Sequence, residues 1–208
     1  MFSPAMMKLS LSLNYFLLLY LLAGTHTVVA GTALIDDRSS GTLQSSNAGE
    51  WRLVTDQVMG GVSSGSMSLD SYRGRDCIRM RGSVSTENNG GFLQIVLDLA
   101  DGDRFDASAY QGVLLQVAGN GERYNLHLRT SDLWLPWQSY RATFVAGSEW
   151  SELSIPFAAF EAYRTRRDLK PERLIRIGLV AIGREFDADL CLAMLRFYRN
   201  DESPPVLP

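Results

Sequence analysis

The sequence predicts an all-β protein, a jelly-roll β-sandwich carrying only a few short helical turns. Three observations point there. Short segments with apolar residues at every second position recur about every ten residues, which is the spacing of strands joined by tight connections. Glycine and asparagine clusters separate them, most plainly Gly60-Gly61 and Asn88-Asn89-Gly90-Gly91. Helical periodicity is almost absent, which argues against a parallel α/β sheet. The 208 residues suffice for one substantial core, and nothing requires a second domain.

The elements follow in chain order. Lys8 is the only charged residue before an apolar run from Leu9 to Ala23, and Val28-Val29-Ala30 offers small residues ahead of Gly31. That pattern reads as a secretory signal peptide over residues 1–30, with an uncleaved N-terminal anchor as the alternative. The run falls short of the ~20 residues of a membrane span. The segment has no arginine, which argues against a mitochondrial presequence. A single β-sandwich domain is expected over 31–200 and a disordered tail over 201–208, which holds Ser203-Pro204-Pro205.

Within the domain, Ala33-Leu34-Ile35 suggests a short first strand, and the Ser/Gly-rich stretch after it an exposed loop. Alternation continues at Cys77–Arg81, at Phe92–Leu99 with Leu93, Ile95, Leu97 and Leu99 on one face, at Val113–Val117 and at Tyr124–Arg129. It resumes at Ser139–Val145, Trp150–Ile155, Leu174–Val180 and Leu190–Tyr198. Turns or short helices are expected at Phe157–Phe160 and after Lys170, where Pro171 suits a first helical position. Asn-Gly between two alternating runs is a hairpin signal. Trp51 and Trp150 read as core.

The net charge of −3 provides no field to gather nucleic acid or coat an anionic membrane, although local clusters of arginine remain. Cys77 and Cys191 are the only cysteines. After export they are free to pair, but two buried thiols are an equal reading, because sequence does not show how close their Cα atoms come. They complete no zinc site, and no metal or cofactor is expected. Asp101 with Asp103, and Asp187 with Asp189, offer oxygen ligands for at most a structural calcium in a loop.

Gly61-Val62-Ser63-Ser64-Gly65 matches the nucleophile-elbow pattern, but that elbow needs a helix after it and a base within reach. Here alternation follows, and beyond the leader the only histidine is His127, inside a strand. The tight-turn reading is preferred and no catalytic residue is assigned. His127, in phase with Asn125 and Arg129, belongs to a polar stripe that Arg79, Arg81, Gln94 and Gln116 join if neighbouring strands align. Such a stripe is either a solvated sheet face or a ligand-binding one. Trp134, Trp137, Gln138 and Tyr140 form the most aromatic stretch, a binding surface or the closure of the core.

Several stretches together resemble one family. They are Trp51 with Val54 through Ser63, Gly82 through Ser85 with Asn88 to Phe92, Trp137 through Phe144, and Trp150 with Ile155-Pro156-Phe157 and Phe160. The resemblance, from Leu34 to Arg199, is to the complex I intermediate-associated protein of thirty kilodaltons. Its most specific part is the Asp-x-Val-Met-Gly-Gly-x-Ser run. It implies a galactose-binding-domain-like jelly roll and a non-catalytic, chaperone-like role, since mitochondrial members assist assembly of NADH:ubiquinone oxidoreductase on the matrix side. Asp56, Met59, Gly60, Gly61, Ser63, Asn89, Gly90 and Gly91 enter only as motif positions. The expectation is therefore an exported module, periplasmic or secreted, acting on a protein partner. A carbohydrate-binding module is the alternative function, with Trp134, Trp137, Gln138, Tyr140, His127, Arg129 and Gln116 as candidate contacts. Membrane contact is expected only through an uncleaved leader, and a mitochondrial location only by family analogy.

Overall fold

The computed structural model describes residues 33–199; the expected leader and the expected disordered tail lie outside them. The described chain opens with β1 (Ala33–Asp36), β2 (Arg52–Thr55), β3 (Ser64–Tyr72) and β4 (Arg75–Val84). It continues with β5 (Phe92–Asp98), β6 (Gly112–Gly119), β7 (Arg123–Thr130) and β8 (Ser139–Val145). It closes with β9 (Ser151–Pro156), β10 (Glu161–Tyr163), β11 (Leu174–Ile182) and β12 (Phe186–Tyr198). The described residues contain short 3-10 turns and no α-helix. The turns at Phe157–Ala159 and Pro171–Arg173 stand where short helices were expected, with a proline opening the second.

Two antiparallel sheets form a sandwich. The first runs β3-β4-β12-β6-β9, with β1 paired to Leu195–Phe197 of β12 beyond the stretch that β4 covers. The second runs β10-β8-β7-β11-β5-β2. Period two decides what each strand buries. In β7, Tyr124, Leu126, Leu128 and Thr130 point into the core, leaving Asn125, His127 and Arg129 on the outer face. Ile78, Met80, Leu190 and Leu192 fill the core from the first sheet, and Leu93, Ile95, Leu97, Ile177 and Leu179 from the second. Trp51 is buried as expected. Trp150 is not core: it is half-buried, edge-on to Tyr72, and its Nε1 donates to the Tyr72 carbonyl at 3.0 Å.

The Asn-Gly signal does not make a hairpin. β4 lies in the first sheet and β5 in the second, so residues 85–91 carry the chain from one layer to the other. Residues 56–63 do the same between β2 and β3. The two crossings run side by side, because Thr55 faces Leu93 in one sheet while Gly65 faces Gly82 in the other. A Cβ on Gly82 would lie 2.1 Å from the Ser64 carbonyl oxygen and 2.8 Å from a Leu93 methyl. The bare backbones of Gly65 and Gly82 thus let Leu93 close the corner.

The loop after β1 is less exposed than its Ser/Gly composition suggests. Asp36 is buried and accepts from Trp51 Nε1 at 2.6 Å, and from the Arg38 backbone N–H and guanidinium at 2.9–3.2 Å. Arg38 is buried with it, and donates to the Gln44 carbonyl at 3.0 Å. A lone arginine among serines carries no sequence signal of such a role, since the composition reads as solvated loop.

Cys77 of β4 and Cys191 of β12 are disulfide-bonded on the outer face of the first sheet, their Cα atoms 5.5 Å apart. The bond closes a loop 114 residues in separation. A link of that span restrains the unfolded chain most strongly, typically by about 2–5 kcal/mol. Replacing both cysteines with serine should lower the urea-unfolding free energy by about that amount, and reductant should then have no further effect. Gly82→Ala should cost about 1–3 kcal/mol in the same assay, since the strand backbones must part to admit the methyl.

Candidate functional site

The family-motif residues converge on Asp56, which is fully buried between the two sheet crossings. Its Oδ1 accepts the Ser63 N–H at 2.9 Å; its Oδ2 accepts the Ser63 hydroxyl and the Gly91 N–H, both at 2.5 Å, and the Phe92 N–H at 3.2 Å. Burial pushes the Asp56 carboxyl up, but the bonds from Gly91, Ser63 and Phe92 outweigh it and hold the group below its ordinary range. Gly61 and Gly90 are there to make room: a Cβ on either would come within 2.5 Å of the carboxylate. Asn89 takes a left-handed turn just before Gly90. Gly60 ends the 3-10 turn Asp56–Met59 in the left-handed region, and Val58 and Met59 face solvent at its tip. The Asp–Ser contact has the look of catalytic equipment but is inaccessible. Ser63 is itself fully buried, and its hydroxyl also accepts the Ser85 N–H at 3.0 Å.

The aromatic stretch lies in the loop between β7 and β8. Trp134 is 84 % exposed, with Leu135 at 43 % and Trp137 at 47 %. These tryptophans face solvent rather than closing the core. Arg129 reaches beneath the loop. Its Nη1 donates to the carbonyls of Leu135, Pro136 and Gln138 at 2.8–3.0 Å, and its Nη2 to that of Leu133 at 3.3 Å. Gln138 clamps the other side, its Oε1 accepting the Trp134 and Leu135 N–H groups at 3.1 Å and its Nε2 donating to the Arg164 carbonyl. Arg129 and Gln138 therefore build the platform instead of facing a ligand. Tyr140 is 1 % exposed: it shares the inward phase of Ala142 and Phe144, and its hydroxyl donates to the Asp168 carbonyl at 2.9 Å.

His127 sits in mid-strand on the outer face of the second sheet, opposite Gly178 of β11 and Arg141 of β8. Its Nε2 is buried and has no hydrogen-bond partner. Burial, with Arg141 adding to it, pushes the imidazole down to about 3, so it is neutral near pH 7. The Arg141 guanidinium stacks on Tyr163 of β10, 3.3 Å from the ring centre, and its Nε donates to the Ser139 hydroxyl. Gln94 shares this face two strands away. Gln116, Arg79 and Arg81 do not, because β4 and β6 belong to the other sheet. Gln116 lines an open concavity of about 470 Å³ with Arg75, Asp76 and Met194. Arg79 is gripped by Asp189 at 2.7 and 2.8 Å and by Asp70 at 2.9 Å. That pairing also engages Asp189 with a cation other than calcium. Among the described residues no three His, Cys, Asp or Glu side chains cluster as a metal site.

Asp56→Asn should destabilise the fold by about 2–4 kcal/mol, since the amide accepts fewer of the four bonds and adds a donor among donors. A carboxyl held low in the folded state stabilises it above its unfolded value of ~3.9, and that contribution fades as pH falls through the folded value. Acid unfolding monitored by circular dichroism below about pH 4 should accordingly be less steep in the variant.

Solved structures share this architecture. The family 11 carbohydrate-binding module from Clostridium thermocellum, in complex with a β-1,3-1,4-mixed-linked tetrasaccharide, matches with a TM-score of 0.62 at 15 % identity, over 81 % of this chain and 96 % of its own. The family 11 module of the cellulosomal cellulase Lic26A-Cel5E of the same organism gives 0.63 at 14 %, over 81 % and 95 %. A family 30 carbohydrate-binding module gives 0.57 at 14 %, over 86 % and 94 %. At these identities the likeness is one of fold. No curated protein matches the chain. The family model of Complex I intermediate-associated protein 30 matches residues 41–192, which include the Asp56 corner and the tryptophan loop. The chain belongs to the Complex I intermediate-associated protein 30 (CIA30) family.

Proposed function

We propose that this chain is a non-catalytic binding module that assists a protein partner outside the cytoplasm, engaging it through the 133–138 loop. The observation that carries the reading is the exposure of Trp134, Leu135 and Trp137 on a loop whose backbone is fixed by Arg129 and Gln138. Tryptophan and arginine are the residues that most often dominate binding energy in protein interfaces. A loop held rigid before binding also loses little conformational freedom on complex formation. Family membership agrees with an assembly role.

Export is supported by the pattern of the first thirty residues and by the Cys77–Cys191 bond, which persists in oxidising compartments. The reading without catalysis rests on Asp56 and Ser63 being closed to solvent and on the unreached His127 Nε2. A glycan ligand is the second reading, favoured by the architecture shared with a module bound to a tetrasaccharide and by the flat, open face of Trp134.

Crosslinking the full chain in its native compartment should capture a protein with the wild type, and Trp134→Ala/Trp137→Ala should reduce that capture about tenfold or more with an unchanged melting curve. Equal capture by both would refute the loop as the interface. Quenching of tryptophan fluorescence by a neutral β-glucan oligosaccharide, absent in the double variant, would instead support the glycan reading.

A further inference from the structure

The arginines on the outer faces of the sandwich are matched unevenly; on the second sheet Arg52 and Arg176 share Asp98. On the first sheet Arg79 and Arg81 are matched by Asp70 and Asp189, and Arg73 by Glu149, while Arg75 lies over the Trp150 ring. At the β7-β8-β10 edge of the second sheet the arginines are not matched. Arg129 is spent on carbonyl oxygens, Arg141 lies on the Tyr163 ring, and Arg164 approaches the same ring at 5.5 Å, none with a carboxylate of the described residues within ion-pair distance. The loop after β10 adds Arg166, Arg167 and Lys170, with no ion pair among the described residues. Against these six cations stand the carboxylates of Glu161 and Asp168, since Asp132 of the β7–β8 loop is taken by Arg173, and the chain as a whole carries −3. Glu161 is the register partner of Arg141, yet the two make no ion pair. Burial lowers the pKa of the Arg141 guanidinium, as expected of a cation that lacks a counter-charge in a half-buried place.

The cationic edge is continuous with the tryptophan platform. Gln138 of the platform donates to the Arg164 carbonyl, Arg164 and Arg141 share Tyr163, and Arg141 adjoins His127. His127 contributes a buried, unpartnered Nε2 on that same face. We propose that this edge is an anion-binding site which, with Trp134 and Trp137, receives a carboxylate-rich segment of the protein partner. Guanidinium groups suit carboxylates because their fork offers paired donors, and an unmatched cationic patch steers such a segment to the apolar anchors. A polypeptide is favoured over an acidic polysaccharide because the one aromatic ring among the cations, Tyr163, is already covered by guanidinium, and because Leu135 lies between the tryptophans. The inference rests on the protein-partner reading and narrows it.

Titrating the full chain with poly-L-glutamate, read by tryptophan fluorescence, tests it. Binding should weaken as salt rises and fall about tenfold or more in Arg141→Gln/Arg164→Gln. Arg164→Glu/Arg167→Glu, at exposed positions, should do the same with an unchanged melting curve. Arg75→Gln on the opposite face should bind as the wild type does. No binding, or equal binding by wild type and the edge variants, overturns the proposal. Preference for polygalacturonate over poly-L-glutamate overturns it in favour of an acidic polysaccharide. If poly-L-glutamate fails while tryptophan-dependent capture of a protein persists, the charge argument falls and the protein-partner reading stands.

Discussion

A single buried carboxylate holds the two layers in register at one corner. Asp56 accepts four hydrogen bonds from residues on both crossings, and each bond to a charged acceptor contributes more than one between neutral groups, about 1.5–3 kcal/mol. The carboxylate is tolerated without a cation because backbone N–H groups and a hydroxyl replace its water. The surrounding sequence follows from that requirement. Residues 61 and 90 must lack a side chain, residue 63 must supply a small donor, and residue 60 must turn left-handed. The most family-specific stretch of the chain is therefore architectural. Its outward product is the exposed tip at Val58 and Met59 rather than a reactive centre.

With the corner fixed, the outer faces diverge. The first sheet is tied across by the disulfide and by the Arg79 cluster, so its charges are largely satisfied within the protein. The second carries its surplus cations to the edge where the β7–β8 loop stands up. Apolar exposure and cations stacked on a ring thus meet at one edge of the sandwich.

Strand positions were legible because period two survives in single strands: Tyr124–Arg129 and Leu174–Val180 need no partner to show their inner faces. Sheet membership was not legible, because alternation says which residues share a face of one strand and nothing about which sheet takes it. Gln116 and His127 therefore looked like neighbours and lie on opposite sides of the molecule. Asn89-Gly90 looked like a hairpin for the same reason. Tyr140 was in phase with Ala142 and Phe144, and its burial was available from spacing alone; its aromatic surroundings pulled it onto the candidate surface instead. Arg129 and Gln138 belonged to the right region in the wrong role, since no sequence pattern announces that a side chain will spend its donors on a loop's carbonyls. Arg141 and Tyr163 were missed, and only the register of β8 against β10 brings them together.

The way Arg129 fastens the tryptophan loop carries a last consequence. Its acceptors are peptide carbonyls, which neither gain nor lose protons, and the guanidinium stays charged throughout the physiological range. A latch made of those parts has no acid or alkaline trigger. Whatever the surrounding medium does to charges farther along the edge, the backbone that carries the two indoles stays fastened.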